Sequence, residues 1–198
     1  MDKLICGLGI NDRKYMSFSA GTIIKEYNLW HSMLARCSED LWNRYPTYSG
    51  TTCSENFKHY SYFYEWCHEQ VGFGNKDEKG RSWCLDKDLL IKGNKVYSEE
   101  TCVFVPQSIN TILNKTCSKR GLHLLGVHFD KTTQKFVAQC YAEGKKKKIG
   151  RYTTEEQAFE AYKTFKEALI KEVAKDYKCQ IDDRVYQALL LYCVDRED

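Results

Sequence analysis

The chain has 198 residues, 42% of them hydrophobic and 14% aromatic, so it can bury a core and is not a disordered polypeptide. A net charge of +3 is too small to argue by itself for a nucleic-acid partner. The charge is unevenly spread, however: Lys145-Lys146-Lys147-Lys148 and Arg151 make a dense basic block, and the residues after Ile181 are rich in acid.

Met1-Asp2-Lys3 leads into a short apolar run, Leu4 to Ile10, broken by Gly7 and Gly9. That run is neither a signal peptide nor a membrane helix, so the expectation is a cytosolic chain whose thiols are reduced. The ten cysteines show no CxxC pairs. They read as buried thiols packing like small apolar residues, although Cys37, Cys53, Cys67 and Cys102 could meet in space. From Thr22 to Cys37, apolar side chains recur at Ile23, Tyr27, Trp30, Leu34 and Cys37, one face of a helix. Residues 44–52 (RYPTYSGTT) read as a loop. Ser54 to Glu69 reads as a second helix with Phe57, Tyr60, Tyr64 and Cys67 on one face, and Gly72 to Gly80 as a polar loop. Trp83 to Leu90 reads as a strand. The chain turns through Ile91 to Lys95, and Val96-Tyr97 returns as a second strand. Val103 to Val105 is apolar and closed by Pro106, and Ser108 to Asn114 reads as a short helix.

Asn114 to Arg120 is polar and basic, as a linker would be. Three strands are expected next: Leu124 to Phe129, Lys135 to Tyr141 and Lys146 to Arg151, with Glu143-Gly144 as a hairpin turn. Thr153-Thr154-Glu155-Glu156 offers a capping box with Thr153 as N-cap. The helix behind it carries Phe159, Tyr162, Phe165, Leu169 and Val173 on one stripe, and a last helix, Asp183 to Val194, buries Val185, Leu189 and Tyr192.

A single helix can cover only one face of such a sheet. Alternation gives Phe136, Ala138 and Cys140 to the helix. Lys135, Gln139, Tyr141, Lys146 and Lys148 then lie on the other face, with His128 and Lys131 nearby. Two readings stand side by side. One is a solvated basic hairpin; the other is a β-ribbon that enters the major groove of DNA, its lysines on phosphate.

The segment GVHFDKTTQKFVAQCYAEGKKKKIGRYTTEEQAFEAYKTF resembles the plant ethylene-response-factor (Apetala-type) DNA-binding domain, which also occurs as a tail on phage and mobile-element endonucleases. The likeness rests on Gly126-Val127, Lys135-Phe136-Val137-Ala138, the basic strand ending in Ile149-Gly150, and Thr153 to Tyr162, and covers roughly Leu122 to Tyr177. It implies that double-stranded DNA is the partner. The implied DNA-facing residues are His128, Asp130, Lys135, Gln139, Tyr141, Lys146 and Lys148, joined by Lys131 and Arg151. The plant domains carry arginines and tryptophans where this chain has His128, Asp130 and Lys148.

The first part is similar to phage HNH-type endonucleases through Cys6 to Asp12 (CGLGIND), Trp30 to Cys37 (WHSMLARC), Tyr45 to Tyr48 (YPTY) and Leu85 to Asn110. That resemblance implies a ββα unit around one divalent cation, Mg²⁺ or Mn²⁺, with zinc a less favoured choice. The acid–histidine pair of the family falls on Asp86 and Lys87, the bracing asparagine on Asn94, and the final metal ligand on Asn110. Asp86 and Asn110 are thus the implied metal ligands, and Asp86, Lys87 and Asn94 the implied catalytic group. Lysine ordinarily titrates near ~10.4 against ~6.5 for histidine, so Lys87 cannot take a proton from water as the family's histidine does. His59, His68 and His123 do not lie at motif spacing. Read without the family, Asp86-Lys87-Asp88 makes salt bridges at a strand end, Asn94 serves a turn and Asn110 caps a helix.

The expectation is therefore an α+β chain in two parts. Residues 1–115 form an HNH-like ββα-metal region with N-terminal helices. Residues 122–198 form a three-stranded antiparallel sheet packed on one helix, followed by a C-terminal helix. Its function would be that of a phage DNA-binding, endonuclease-like protein in the cytoplasm of the infected bacterial host, a metal-dependent nickase if it cuts. The alternative is a non-catalytic regulator or inhibitor that grips a host defence or DNA-processing protein. No membrane is expected as partner.

Overall fold

The computed structural model of the protein describes residues 4–113, 122–142 and 144–196. They divide into two compact units, Met1–Pro106 and Gln107–Asp198. The expected linker, Asn114 to Arg120, lies outside the described residues, as does Glu143 of the expected hairpin turn.

In the first unit a small hairpin, β1 (Phe18–Ser19) with β2 (Thr22–Ile23), precedes helix α1 (Lys25–Arg36). The helical spacing read from Thr22 onward is real, but Thr22 and Ile23 are strand. Trp30, Met33 and Leu34 of α1 are fully buried. The loop at Cys6 to Ile10 lies on that helix only because residue 9 is glycine. A Cβ there would sit 2.2 Å from Leu34 Cδ1 and 2.7 Å from Trp30 Cζ2. Helix α2 (Glu39–Arg44), a 3-10 turn (Pro46–Tyr48) and strand β3 (Thr52–Cys53) follow.

The single helix expected from Ser54 is in fact a 3-10 turn (Asn56–Lys58) and helix α3 (Tyr60–Glu69). The break has a cause. Ile10 donates its N–H to Lys58 O at 2.8 Å and accepts from Tyr60 N at 3.0 Å, which holds His59 extended between them. Phe57 stacks edge-on against Phe63 at 5.2 Å and lies 4.7 Å from Trp66, and Trp30 Nε1 donates to Phe57 O at 2.8 Å. Burying such rings contributes roughly 1.5–3 kcal/mol each, which lets short elements hold together here.

Three more strands complete this unit: β4 (Cys84–Asp86), β5 (Val96–Tyr97) and β6 (Val103–Val105). The strand expected over Trp83 to Leu90 is only three residues long. The expected return of Val96-Tyr97 onto it does not occur. β4 pairs antiparallel with β6, Asp86 facing Val103, whereas β5 pairs in parallel with β3. β6 is buried throughout and closed by Pro106.

The second unit begins with helix α4 (Gln107–Leu113). The sheet follows in the order β7 (Val127–Asp130), β8 (Lys135–Ala142), β9 (Lys145–Tyr152), antiparallel throughout. Helix α5 (Glu155–Asp176) covers one face of it, and α6 (Asp183–Leu190) follows. Ala138 and Cys140 of the sheet and Ala158, Phe159 and Tyr162 of α5 form a buried cluster, and Phe136, Phe165, Leu169 and Tyr192 pack against it. The small alanines let sheet and helix approach closely.

Capping of α5 is displaced by one residue from the sequence reading. Thr154, not Thr153, is the N-cap and accepts from Gln157 N. Thr153 Oγ1 instead lies 2.9 Å from Gln157 Oε1. No described helix is long and apolar enough to cross a membrane.

Candidate functional site

Asp86 ends β4, and its carboxylate immediately closes a turn. Oδ1 accepts from Asp88 N at 3.0 Å and Leu89 N at 2.8 Å. Burial, and then the nearby Asp88 charge, push its pKa above the ordinary carboxylate value. Lys87 points inward with only 11% of its side chain exposed. Its Nζ donates to Asn94 O at 2.9 Å, lies 3.7 Å from Asp88 Oδ2, and sits 5.8 Å from the centre of the Tyr97 ring. Asn94 answers from the far side of the loop. Its Nδ2 donates to Lys87 O at 2.6 Å and Val96 O at 2.7 Å, and its Oδ1 accepts from Val96 N at 3.1 Å. Lys87 and Asn94 therefore fasten residues 87–96 into a closed loop, and the ammonium is committed to a carbonyl.

A hard divalent cation needs several oxygen donors and an unopposed negative site. Asp86 and Asp88 offer carboxylates, but Asp88 Oδ2 already has the Lys87 ammonium 3.7 Å away, and Asp86 Oδ1 is taken by two backbone amides. This donor set does not fit a divalent cation well. Among the described residues no group of three or more histidine, cysteine or acidic side chains is placed to hold one. Asn110 lies in α4, in the second unit, whereas Asp86, Lys87 and Asn94 lie in the first.

Of the four cysteines weighed as a cluster, Cys37 and Cys53 are hydrogen-bonded neighbours. The bond raises the Cys37 pKa and lowers that of Cys53. Burial pushes Cys67 up as well, and Cys102 up to about 12.

The sheet of the second unit offers a different kind of surface. In β8, Ala138 and Cys140 are buried against α5, while Lys135 and Tyr141 are exposed and Gln139 half-buried; Val137, on their side of the strand, breaks the alternation and is buried too. Register places His128 beside Val137, Lys148 beside Gln139 and Lys146 beside Tyr141. A bulge opposite Ala138 and Gln139 absorbs Ile149 and keeps Arg151 on the same face, beside Val137. His128, Lys135, Tyr141, Lys146, Lys148 and Arg151 are all exposed, and Val137 is the buried floor between them.

The β7–β8 turn holds itself together. Asp130 accepts from Thr132 N, Thr133 N and Thr133 Oγ1, and these bonds, the Thr133 hydroxyl first, lower its pKa. Asp130 also lies 3.8 Å from Arg151 Nε. Its carboxylate thus organises the turn that carries exposed Lys131. Tyr141 donates its hydroxyl to Gly144 O at 2.7 Å, which pins the ring at the edge of the basic face.

Apart from Asn110 in α4, the sequence-predicted residues fall into two groups. Asp86, Lys87 and Asn94 come together in one loop. His128, Lys131, Lys135, Gln139, Tyr141, Lys146, Lys148 and Arg151 share one side of one sheet or its turn. Sequence reasoning missed the inward direction of Lys87, although its place in an apolar run hinted at it. It also missed that Lys147 lies on the helix side, its Nζ 5.2 Å from the centre of the Phe165 ring. Comparison of the chain with protein-family models, with curated proteins and with solved structures finds no match.

Proposed function

We propose that this protein binds double-stranded DNA through the uncovered face of its C-terminal sheet, and that its HNH-like loop is a braced scaffold that has lost its base. One observation carries the reading. α5 buries one face of β7–β8–β9, while the other presents Lys135, Lys146, Lys148 and Arg151 around Gln139 and Tyr141. A ribbon of this kind fits the major groove, with lysines on the flanking phosphates. The antiparallel pair β4 and β6, with β5 between them in the chain, precedes α4, an order that supports the likeness to an HNH ββα unit. The geometry of Lys87 and Asn94 supports a structural part for that loop.

Affinity for a duplex of mixed sequence should fall steeply as salt rises, because several lysine–phosphate contacts release counterions. Charge reversal at Lys146 and Lys148 together should abolish it. A flat salt response would overturn the reading. Nicking of supercoiled plasmid with Mg²⁺ or Mn²⁺ that disappears in Asp86→Ala would overturn the loss of catalysis.

A second reading is favoured by one feature of the first unit. Met16, Phe18 and Ile23, on or beside the β1–β2 hairpin, are 73%, 55% and 48% exposed. An apolar hairpin of this kind suits capture of a protein, such as a host defence or DNA-processing enzyme. Under that reading Phe18→Ser abolishes capture and leaves DNA affinity unchanged.

A further inference from the structure

We propose that Gln139 is the base-reading residue of the sheet face and that it selects adenine. This rests on the DNA-binding reading above. Gln139 is near the middle of the central strand, and its neighbours Ala138 and Cys140 are buried against α5, so its side chain projects to the uncovered side. Its backbone N–H donates to Gly126 O at 2.9 Å, which ties this point of the strand to the start of β7. The side chain is half-buried, so fewer rotamers are open to it than to the lysines around it.

Of the other groups on the face, two are already committed, and the lysines match phosphate or guanine rather than adenine. Lys135, Lys146 and Lys148 are flexible point charges, suited to phosphate. The Tyr141 hydroxyl is donated to Gly144 O, and Arg151 lies near the Asp130 carboxylate. Gln139 carries a planar amide with an acceptor and two donors side by side. That amide has no hydrogen-bond partner among the described residues.

In the major groove adenine offers the complementary pair, the N7 acceptor and the N6 amino donor. Guanine offers two acceptors there, which match arginine or lysine, and cytosine offers one donor, which matches a carboxylate. An amide held at the centre of a lysine-flanked ribbon therefore prefers adenine.

The full chain should be used to select duplexes from a random-sequence pool at moderate salt. The selected site should contain a fixed adenine. Replacing it with 7-deazaadenine, which lacks only the N7 acceptor, should weaken wild-type binding on the order of tenfold and leave Gln139→Ala unaffected. Gln139→Glu should move that one position from adenine to cytosine. Salt-dependent binding without a fixed adenine, or a site that Gln139→Glu leaves unchanged, overturns the adenine inference alone. Failure of the wild type to retain any duplex overturns it together with the DNA-binding reading.

Discussion

Lys87 and Asn94 clasp each other across seven residues of chain: the lysine ammonium donates to the asparagine carbonyl at 2.9 Å, and the asparagine amide donates to the lysine carbonyl at 2.6 Å. A group that must shuttle protons cannot also be a fixed strut, and here the strut is what the geometry provides. Lys87→Met should therefore destabilise the first unit by about 1–3 kcal/mol, because it leaves a half-buried carbonyl without its donor. Asn94→Ala should cost at least as much. Since both act on one loop, the double variant should fall short of the summed cost by ~0.5 kcal/mol or more. Urea unfolding of the four proteins measures this. Strict additivity would show that the two residues do not act together.

Asp86 should respond to pH in the sense opposite to a salt-bridged carboxylate. Its pKa is raised in the fold, by burial first and by Asp88 second. The folded chain therefore holds the Asp86 proton more tightly than the unfolded chain does. The resulting stabilisation is fully present below the ordinary carboxylate value of ~3.9 and is lost as pH rises through the folded value. Asp86→Asn keeps an oxygen for the Asp88 and Leu89 amides and removes the charge. It should be at least as stable as wild type at neutral pH, with any advantage gone in acid below both values. Thermal unfolding across that range tests it. An Asp86→Asn variant much weaker than wild type at neutral pH would mean that the negative charge is needed in the fold.

Much of the second unit was legible because its signals were periodic. The alternation from Lys135 to Tyr141 specified a strand with two unlike faces, and the aromatic stripe from Phe159 specified the helix that covers one of them. The first unit was harder to read. Its strands are two or three residues long, too short for a period to show. Val96-Tyr97 pairs with Thr52-Cys53, more than forty residues back in the chain, rather than with the neighbouring strand that a local reading prefers. His59 breaks a helix because Ile10 binds the residues on either side of it, a tertiary cause that no local window contains. The direction of Lys87 was obscured for a related reason: a lysine in a charged triplet reads as solvated unless its hydrogen-bond partner is known.

Gly126 tests the packing of the second unit. It has φ +74°, and a Cβ there would lie 2.1 Å from Tyr162 Cδ2. Gly126→Ala meets both backbone strain and a clash with the helix ring, and should cost about 2–4 kcal/mol. Gly144 has the same φ of +74° but nothing within 4 Å of its would-be Cβ. Gly144→Ala should cost only about 1 kcal/mol. Thermal denaturation of the two variants gives the comparison, and equal losses would mean that the contact with Tyr162 yields easily.

Neighbouring lysines in β9 should differ in what they do for DNA. Lys148 stands opposite Gln139 on the uncovered face, whereas Lys147 pairs with Cys140 and reaches over Phe165 on the helix side. Lys148→Ala should lower DNA affinity and reduce the slope of log affinity against log salt by about 1, the share of a single phosphate contact. Lys147→Ala should leave that slope unchanged and instead cost roughly 0.5–1 kcal/mol of stability, the worth of an exposed cation–π contact. Both effects are read from salt titrations of binding alongside unfolding curves. If the two substitutions reduced the slope equally, binding would follow total charge rather than the face on which each lysine stands, and the sheet-face reading would fail.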